Sequence, residues 1–182
     1  MKMEALIPVL KKDIPLKAHA HRADDILTAI RIAKEFDLNI TIEHTTEGHI
    51  IVNELAEAGV PVCVGPSATH ASKLELLNKT WTTPKILAEA GIQVSIITDA
   101  PVIPEEYLPL MAGLAVKAGM DPFQALQAIT INAAKHIGVS ERVGSLEIGK
   151  DADIVLTGGC PMISSTRILK VLVDGKVRVN AE

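Results

Sequence analysis

His19, His44 and Asp99 share one kind of position in this sequence: each stands at the end of a β-rich run, 14–19, 39–44 and 92–98 respectively. Imidazole nitrogen and carboxylate oxygen together suit zinc, iron or manganese. An ion held by such a set lowers the pKa of its water toward about 7 and makes hydroxide available near neutral pH. The carboxylate then ligates the ion and accepts the proton of that water. One strand-end histidine alone is usually a satisfied core or loop residue. Three metal-type side chains on three strand ends point instead to a common site.

Other polar residues lie close to these. His21 completes a His-Ala-His with His19. Side chains two apart on a strand share a face, so the pair either chelates one ion or comprises one ligand and one residue that holds it, the second being preferred. Arg22 follows and offers a fork for a substrate carboxylate, or is a solvated arginine at a helix start. His70 lies in a polar loop after the third strand, where it either touches substrate or is surface. Glu43 precedes His44 and is expected on the opposite face in a structural role. His49 opens a helix. His136 closes one, where an imidazole suits the helix C-terminus. No phosphate loop, GxGxxG, GxSxG or CxxC is present.

Bringing three strand ends to one face needs strands that run parallel. The chain alternates strand 14–19, helix 24–37, strand 39–44, helix 49–58, strand 60–64, polar loop 65–80, a helix opened by Thr83 as N-cap and Pro84, and strand 92–98. This alternation predicts a parallel sheet with helices outside, whose C-terminal strand ends are where sites are built. The strands read as nearly continuous apolar runs, as in a sheet buried on both faces, and their small aliphatic residues fit a packed barrel interior. Beyond Asp99 the spacing predicts helices over 105–118 and 122–137, the second with Asp121 as cap and Gln124 closing a capping box. Turn residues then lead into a strand ending near 156, and Asp174-Gly175 joins strands 168–173 and 176–179 as a type I′ hairpin. A boundary near 138–143 divides the chain into 1–138 and a β-rich 139–182.

Composition narrows the classes of function. A net charge of −4 in 182 residues excludes nucleic acid as a main partner. Apolar residues make up 48%, enough for a core, while aromatics are 2%, so that core is aliphatic. No apolar run approaches the roughly 18 residues of a membrane span, and the apolar stretch 5–10, broken by Pro8, makes a poor secretory signal. Cys63 and Cys160 are expected to be buried, reduced thiols of a cytoplasmic protein.

The segments LKAHAHRADD at 16–25, TIEH at 41–44, ITDAPVIP at 97–104, ITINAAKHIGVSERVGSLEIGKDADIVL at 129–156 and LVDGKVRV at 172–179 together resemble the C-terminal half of a metal-dependent amidohydrolase. Within that family the segments resemble the imidazolonepropionase-related members. The resemblance implies a (β/α)8 TIM-type barrel with a small β-sandwich, of which this chain would supply strands five to eight and part of the sandwich. It implies a divalent metal, most often zinc, held by His19, His44 and Asp99. It further implies hydrolysis of a C–N bond in a cyclic amide, imide or peptide-like small molecule through metal-activated water, with His44 helping to stabilise the oxyanion and Asp99 relaying the proton. Arg22 stands where cyclic-amide and deaminase relatives carry an acidic residue, and Ala100 where some carry histidine, which leaves the substrate open.

The family's strand-one His-x-His and strand-four Lys match nothing before His19, and four strand units fit where a barrel needs eight. The chain is therefore expected to hold half a metal site, to be inactive alone, and to pair with an N-terminal barrel half or with a copy of itself. The alternative is a truncated, non-catalytic binding or assembly module with a vestigial metal site. A small flavodoxin-like binding domain without metal is a weaker third reading.

Overall fold

The computed structural model describes residues 3–181. After a single helical turn, α1 (Ile7–Leu10), strands and helices alternate as β1 (Leu16–Ala20), α2 (Ala23–Glu35), β2 (Ile40–His44), α3 (Val52–Ala58), β3 (Val62–Val64), α4 (Thr83–Glu89) and β4 (Val94–Ile96). The four strands form one sheet in the order β1-β2-β3-β4, and every pairing is parallel. This matches the βα alternation legible in the sequence.

Strand alternation separates two faces of unlike chemistry. Ile40, Ile42, Val62, Val64 and Val94 pack with Ile26, Ile30 and Ala33 of α2, Leu55 of α3 and Leu87 of α4 in one buried cluster. The register places Lys17 beside Thr41, His19 beside Glu43 and Cys63 beside Ser95, so the opposite face carries Lys, His, Thr, Glu, Cys and Ser. The expectation of strands apolar on both sides is thus corrected. Only the helix-facing side is aliphatic, and the inner side is polar.

Helix α2 shows how local sequence sets these elements. Ile26, Ile30 and Ala33 recur at helical spacing and are buried. Asp24 and Asp25 lie in the first turn and Lys34 in the last, the signs a helix dipole favours. The Ala23 amide, which has no partner within the helix, donates to Glu47 Oε2 at 2.8 Å. Helix α3 stops at Gly59, whose φ of +65° suits a residue without Cβ. At α4 the cap position belongs to Thr82, not Thr83, and neither side chain caps the helix. The Thr83 hydroxyl is engaged by His49 Nδ1 at 2.9 Å instead.

Beyond β4 come α5 (Leu108–Lys117), α6 (Pro122–Ala128) and α7 (Ile131–His136). Asp121 Oδ1 accepts from the amides of Phe123 and Gln124, the expected cap. The single helix expected over 122–137 is two. At Thr130 the backbone leaves helical angles (φ −131°, ψ −99°) and the hydroxyl donates to the Leu126 carbonyl at 2.7 Å. The break redirects α7 so that Asn132 Nδ2 donates to the Val94 carbonyl at 3.0 Å.

The tail forms β5 (Ile154–Thr157), β6 (Ile168–Val173) and β7 (Lys176–Asn180), an antiparallel sheet in that order. Asp174 and Gly175 both have positive φ, 51° and 70°, as the type I′ hairpin requires. Met162, between β5 and β6, joins the second apolar cluster with Met111, Ala112 and Ala115 of α5. A Cβ on Gly113 would overlap the Met162 carbonyl, so the tail approaches α5 that closely only because residue 113 is glycine. Cys63 is buried as expected, but Cys160 is exposed, and both are free thiols. No helix among the described residues is long and apolar enough to cross a membrane.

Candidate metal centre

Strands β1 and β2 end side by side, with Ala20 opposite His44. Beyond them the backbone stays tied, Thr45 N to the Ala20 carbonyl at 3.1 Å and Glu47 N to the His21 carbonyl at 2.9 Å. His44 and Thr45 adopt left-handed φ values of 76° and 43°, a conformation that costs a non-glycine residue on the order of 1 kcal/mol and marks functional strand ends more often than others. Three imidazoles gather in this turn. Ring centroids are 4.3 Å apart for His19–His44, 4.5 Å for His21–His44 and 4.9 Å for His19–His21. One ring nitrogen of each lies within 4.8 Å of the others. His21 lies past the end of β1 rather than on it, so the turn, not the pleat, brings it to His19.

Hydrogen bonds orient two of these rings. His44 Nδ1 lies 2.7 Å from the Gly65 carbonyl. A carbonyl only accepts, so Nδ1 carries a proton and donates it to Gly65. His21 Nδ1 lies 2.7 Å from Thr46 Oγ1, and its Nε2 is 3.8 Å from Glu75 Oε1. Burial above all, and then the charge of His44, push His21 down to about 4, with Glu75 opposing. At neutral pH His21 is therefore uncharged. Three convergent imidazoles, two of them anchored through Nδ1 on oxygen, form a donor set that fits zinc.

The other sequence-derived residues stand apart from this cluster. Asp99 is exposed in the turn after β4 with a left-handed φ of 53°, and its carboxylate is not within the 4.8 Å grouping of the three histidines. His70 is exposed in the loop after β3. Both ends of the Arg22 fork are taken by Asp24, Nε to Oδ1 at 3.0 Å and Nη2 to Oδ2 at 3.1 Å. Sequence reasoning missed Thr46, Gly65 and Glu75. The two threonines directly after His44 were the available signal for Thr46. Nothing local marks Glu75, which a short 3-10 turn (Leu74–Leu76) carries to His21.

A second group lies on the polar face: Glu43, Cys63 and His136, with donor atoms within 4.8 Å of one another. His136 Nε2 is 2.8 Å from Glu43 Oε1 and 3.2 Å from Cys63 Sγ. Lys17 Nζ donates to the His136 carbonyl at 2.9 Å and lies 3.5 Å from Glu43 Oε1. So it is Lys17, not the His136 ring, that serves the C-terminus of α7. Burial disfavours the Glu43 carboxylate, but hydrogen bonds from His136 and Cys63, the His136 charge and Thr41 outweigh it and hold Glu43 at about 2. Burial, followed by the Glu43 charge, pushes the Cys63 thiol far up.

Residues 5–178 match the model of the amidohydrolase family, and the chain belongs to that family. An amidohydrolase from Thermotoga maritima MSB8 superposes with a TM-score of 0.94 at 44% identity, over 98% of this chain and 47% of that one. The imidazolonepropionase of Symbiobacterium thermophilum is 35% identical over 146 residues, 78% of this chain and 33% of that enzyme. An adenosine deaminase from Xanthomonas campestris with bound zinc shares the fold at a TM-score of 0.67 and 22% identity, over 92% and 46% of the two chains. The chain thus spans less than half the length of each of these relatives. Its parallel sheet and helices are an α/β fragment of the amidohydrolase TIM-type barrel, accompanied by a small antiparallel sheet.

Proposed function

We propose that this chain is the C-terminal part of a cytoplasmic metal-dependent hydrolase that cleaves a C–N bond in a cyclic amide, imide or peptide-like small molecule. In this reading 1–138 is half of the catalytic barrel and 139–182 belongs to its small β domain. The observation that carries it is the gathering of three imidazoles, two of them anchored on oxygen, at the C-terminal ends of parallel strands, where barrel sites are built.

His19, His44 and Asp99 are the ligands in this reading. A divalent ion there, zinc before iron or manganese, supplies Lewis acidity toward a carbonyl and acidity to water. The Gly65 hydrogen bond holds the His44 ring by Nδ1 and keeps Nε2 for the site, for ligation or for the oxyanion. Asp99, at the same end of the sheet, takes the proton from water and passes it to the leaving nitrogen. His70 and Arg22 line the approach to substrate, Arg22 on releasing Asp24. An N-terminal barrel half completes the site.

Metal analysis and turnover of the longer protein on a panel of cyclic amides and dipeptides test this. Expected are bound metal in the wild type, its loss in His19→Ala and His44→Ala, and hydrolysis of at least one C–N bond. Full metal occupancy with no turnover would favour the non-catalytic assembly module instead. The isolated chain with added Zn²⁺ or Mn²⁺ is expected to show no more than trace hydrolysis.

A further inference from the structure

We propose that His21 is itself a metal ligand, so that His19, His21 and His44 form a three-imidazole site contained wholly within this chain. The inference rests on the metal reading above and changes its ligand set. Resemblance to the family assigns no ligand at position 21; the geometry does. His21 is 7% exposed and His44 5%, so both rings are committed to the interior of the turn. Each has its Nδ1 on a protein oxygen at 2.7 Å, and one ring nitrogen of each lies within 4.8 Å of the other two histidines. That matched anchoring is what ligating histidines ordinarily show. A ring that merely supported His19 would hydrogen-bond to it, and no such bond joins the two. Their rings meet edge to face at 77° instead.

The nearest acid to His21 Nε2 is Glu75, at 3.8 Å, beyond hydrogen-bond length. Glu75 also lies 3.3 Å from Lys73 Nζ, so this carboxylate already works against positive charge at the mouth of the cluster. It is placed to offset the charge of a dication. Three imidazoles would supply three of the four ligands zinc usually takes, the number of protein ligands typical of catalytic rather than structural zinc. The chain then needs no ligand from another barrel half to bind metal.

Titration calorimetry of the purified chain with ZnCl₂ and ¹⁵N-imidazole NMR decide this. One Zn²⁺ per chain is expected, with the ring nitrogens of three histidines shifting together. His21→Ala and His21→Gln are expected to weaken binding at least roughly 100-fold, beyond what loss of a mere supporting partner costs, as His19→Ala and His44→Ala do. Two shifting histidines, or folded position-21 variants that bind like the wild type while the other two fail, overturn the role of His21 and leave the His19–His44 reading standing. A wild-type chain that takes up no zinc also overturns it, and the functional reading is then decided by the metal content of the longer protein.

Discussion

Glu43 and His136, 93 positions apart, meet at 2.8 Å on the polar face of the sheet. The contact fastens the last residue of α7 to the strand that ends in His44. His136→Ala removes a buried ring, takes a charge-assisted partner from Glu43 and leaves Cys63 without its imidazole. The expected loss is about 2–3 kcal/mol, read as a lower urea midpoint with little change in slope. His136→Gln should recover part of it.

The same carboxylate sets a pH dependence. Glu43 is held at about 2 against an ordinary value of 4.5. A depressed carboxyl contributes stability that is present in full above 4.5 and is lost as the pH falls toward 2. His21, lowered from 6.5 to about 4, adds a loss of the same sign between those values, because folding disfavours its proton. Denaturant midpoints measured from pH 7 to pH 2 should fall in both windows. Glu43→Gln should flatten the lower one and leave the upper one in place.

Thr46→Val keeps the shape of the side chain and removes the hydroxyl on His21 Nδ1. Zinc affinity is expected to fall about 10- to 100-fold, with thermal stability nearly unchanged. Thr46→Ser should restore the affinity. Equal zinc titrations for wild type and valine variant would mean that this anchor does not orient a ligand.

Gly65→Ala strikes the other anchor. Gly65 has φ +138°, and a Cβ there would run into the Ile97 backbone carbonyl, which cannot swing aside as a side-chain tip can. A loss of about 2 kcal/mol or more is expected, together with weaker zinc binding, because the carbonyl that holds His44 must move. Chemical denaturation and calorimetry on one sample separate the two effects.

Gly113→Ala tests the seam between α5 and the tail. Its Cβ would overlap the Met162 carbonyl, so Met162 must withdraw from Met111 and Ala115. Faster limited proteolysis between β5 and β6, with β1–β4 still protected, is the expected result.

These sites divide into what local sequence carries and what it does not. The strands were legible because 39–44, 60–64 and 92–98 are short β-rich runs set between helical patterns and turn residues. His19 and His44 were legible because each closes such a run. The polar inner face was misread because β3 and β4 are only three residues each, with Cys63 and Ser95 as their single inward positions, too short to display an alternation. The break at Thr130 was hidden because Ala125, Ala128 and Ala134 keep a helical apolar pattern across it. The partners of His136 lie 93 and 73 positions away, and no window of sequence holds both ends of such a contact. Glu75 was invisible for a related reason, since only the path of the loop after β3 brings it to His21.

The clasp at the end of α7 also bears on the order of assembly. Lys17, Glu43 and Cys63 reach His136 across 119, 93 and 73 positions. Closing loops that long costs entropy, which is recovered only once β1, β2 and β3 are already aligned to present all three partners at once. Helix α7 is therefore expected to join the fold late and to leave it early. Its amides should exchange with solvent through a lower-energy opening than those of β2, although the two elements touch.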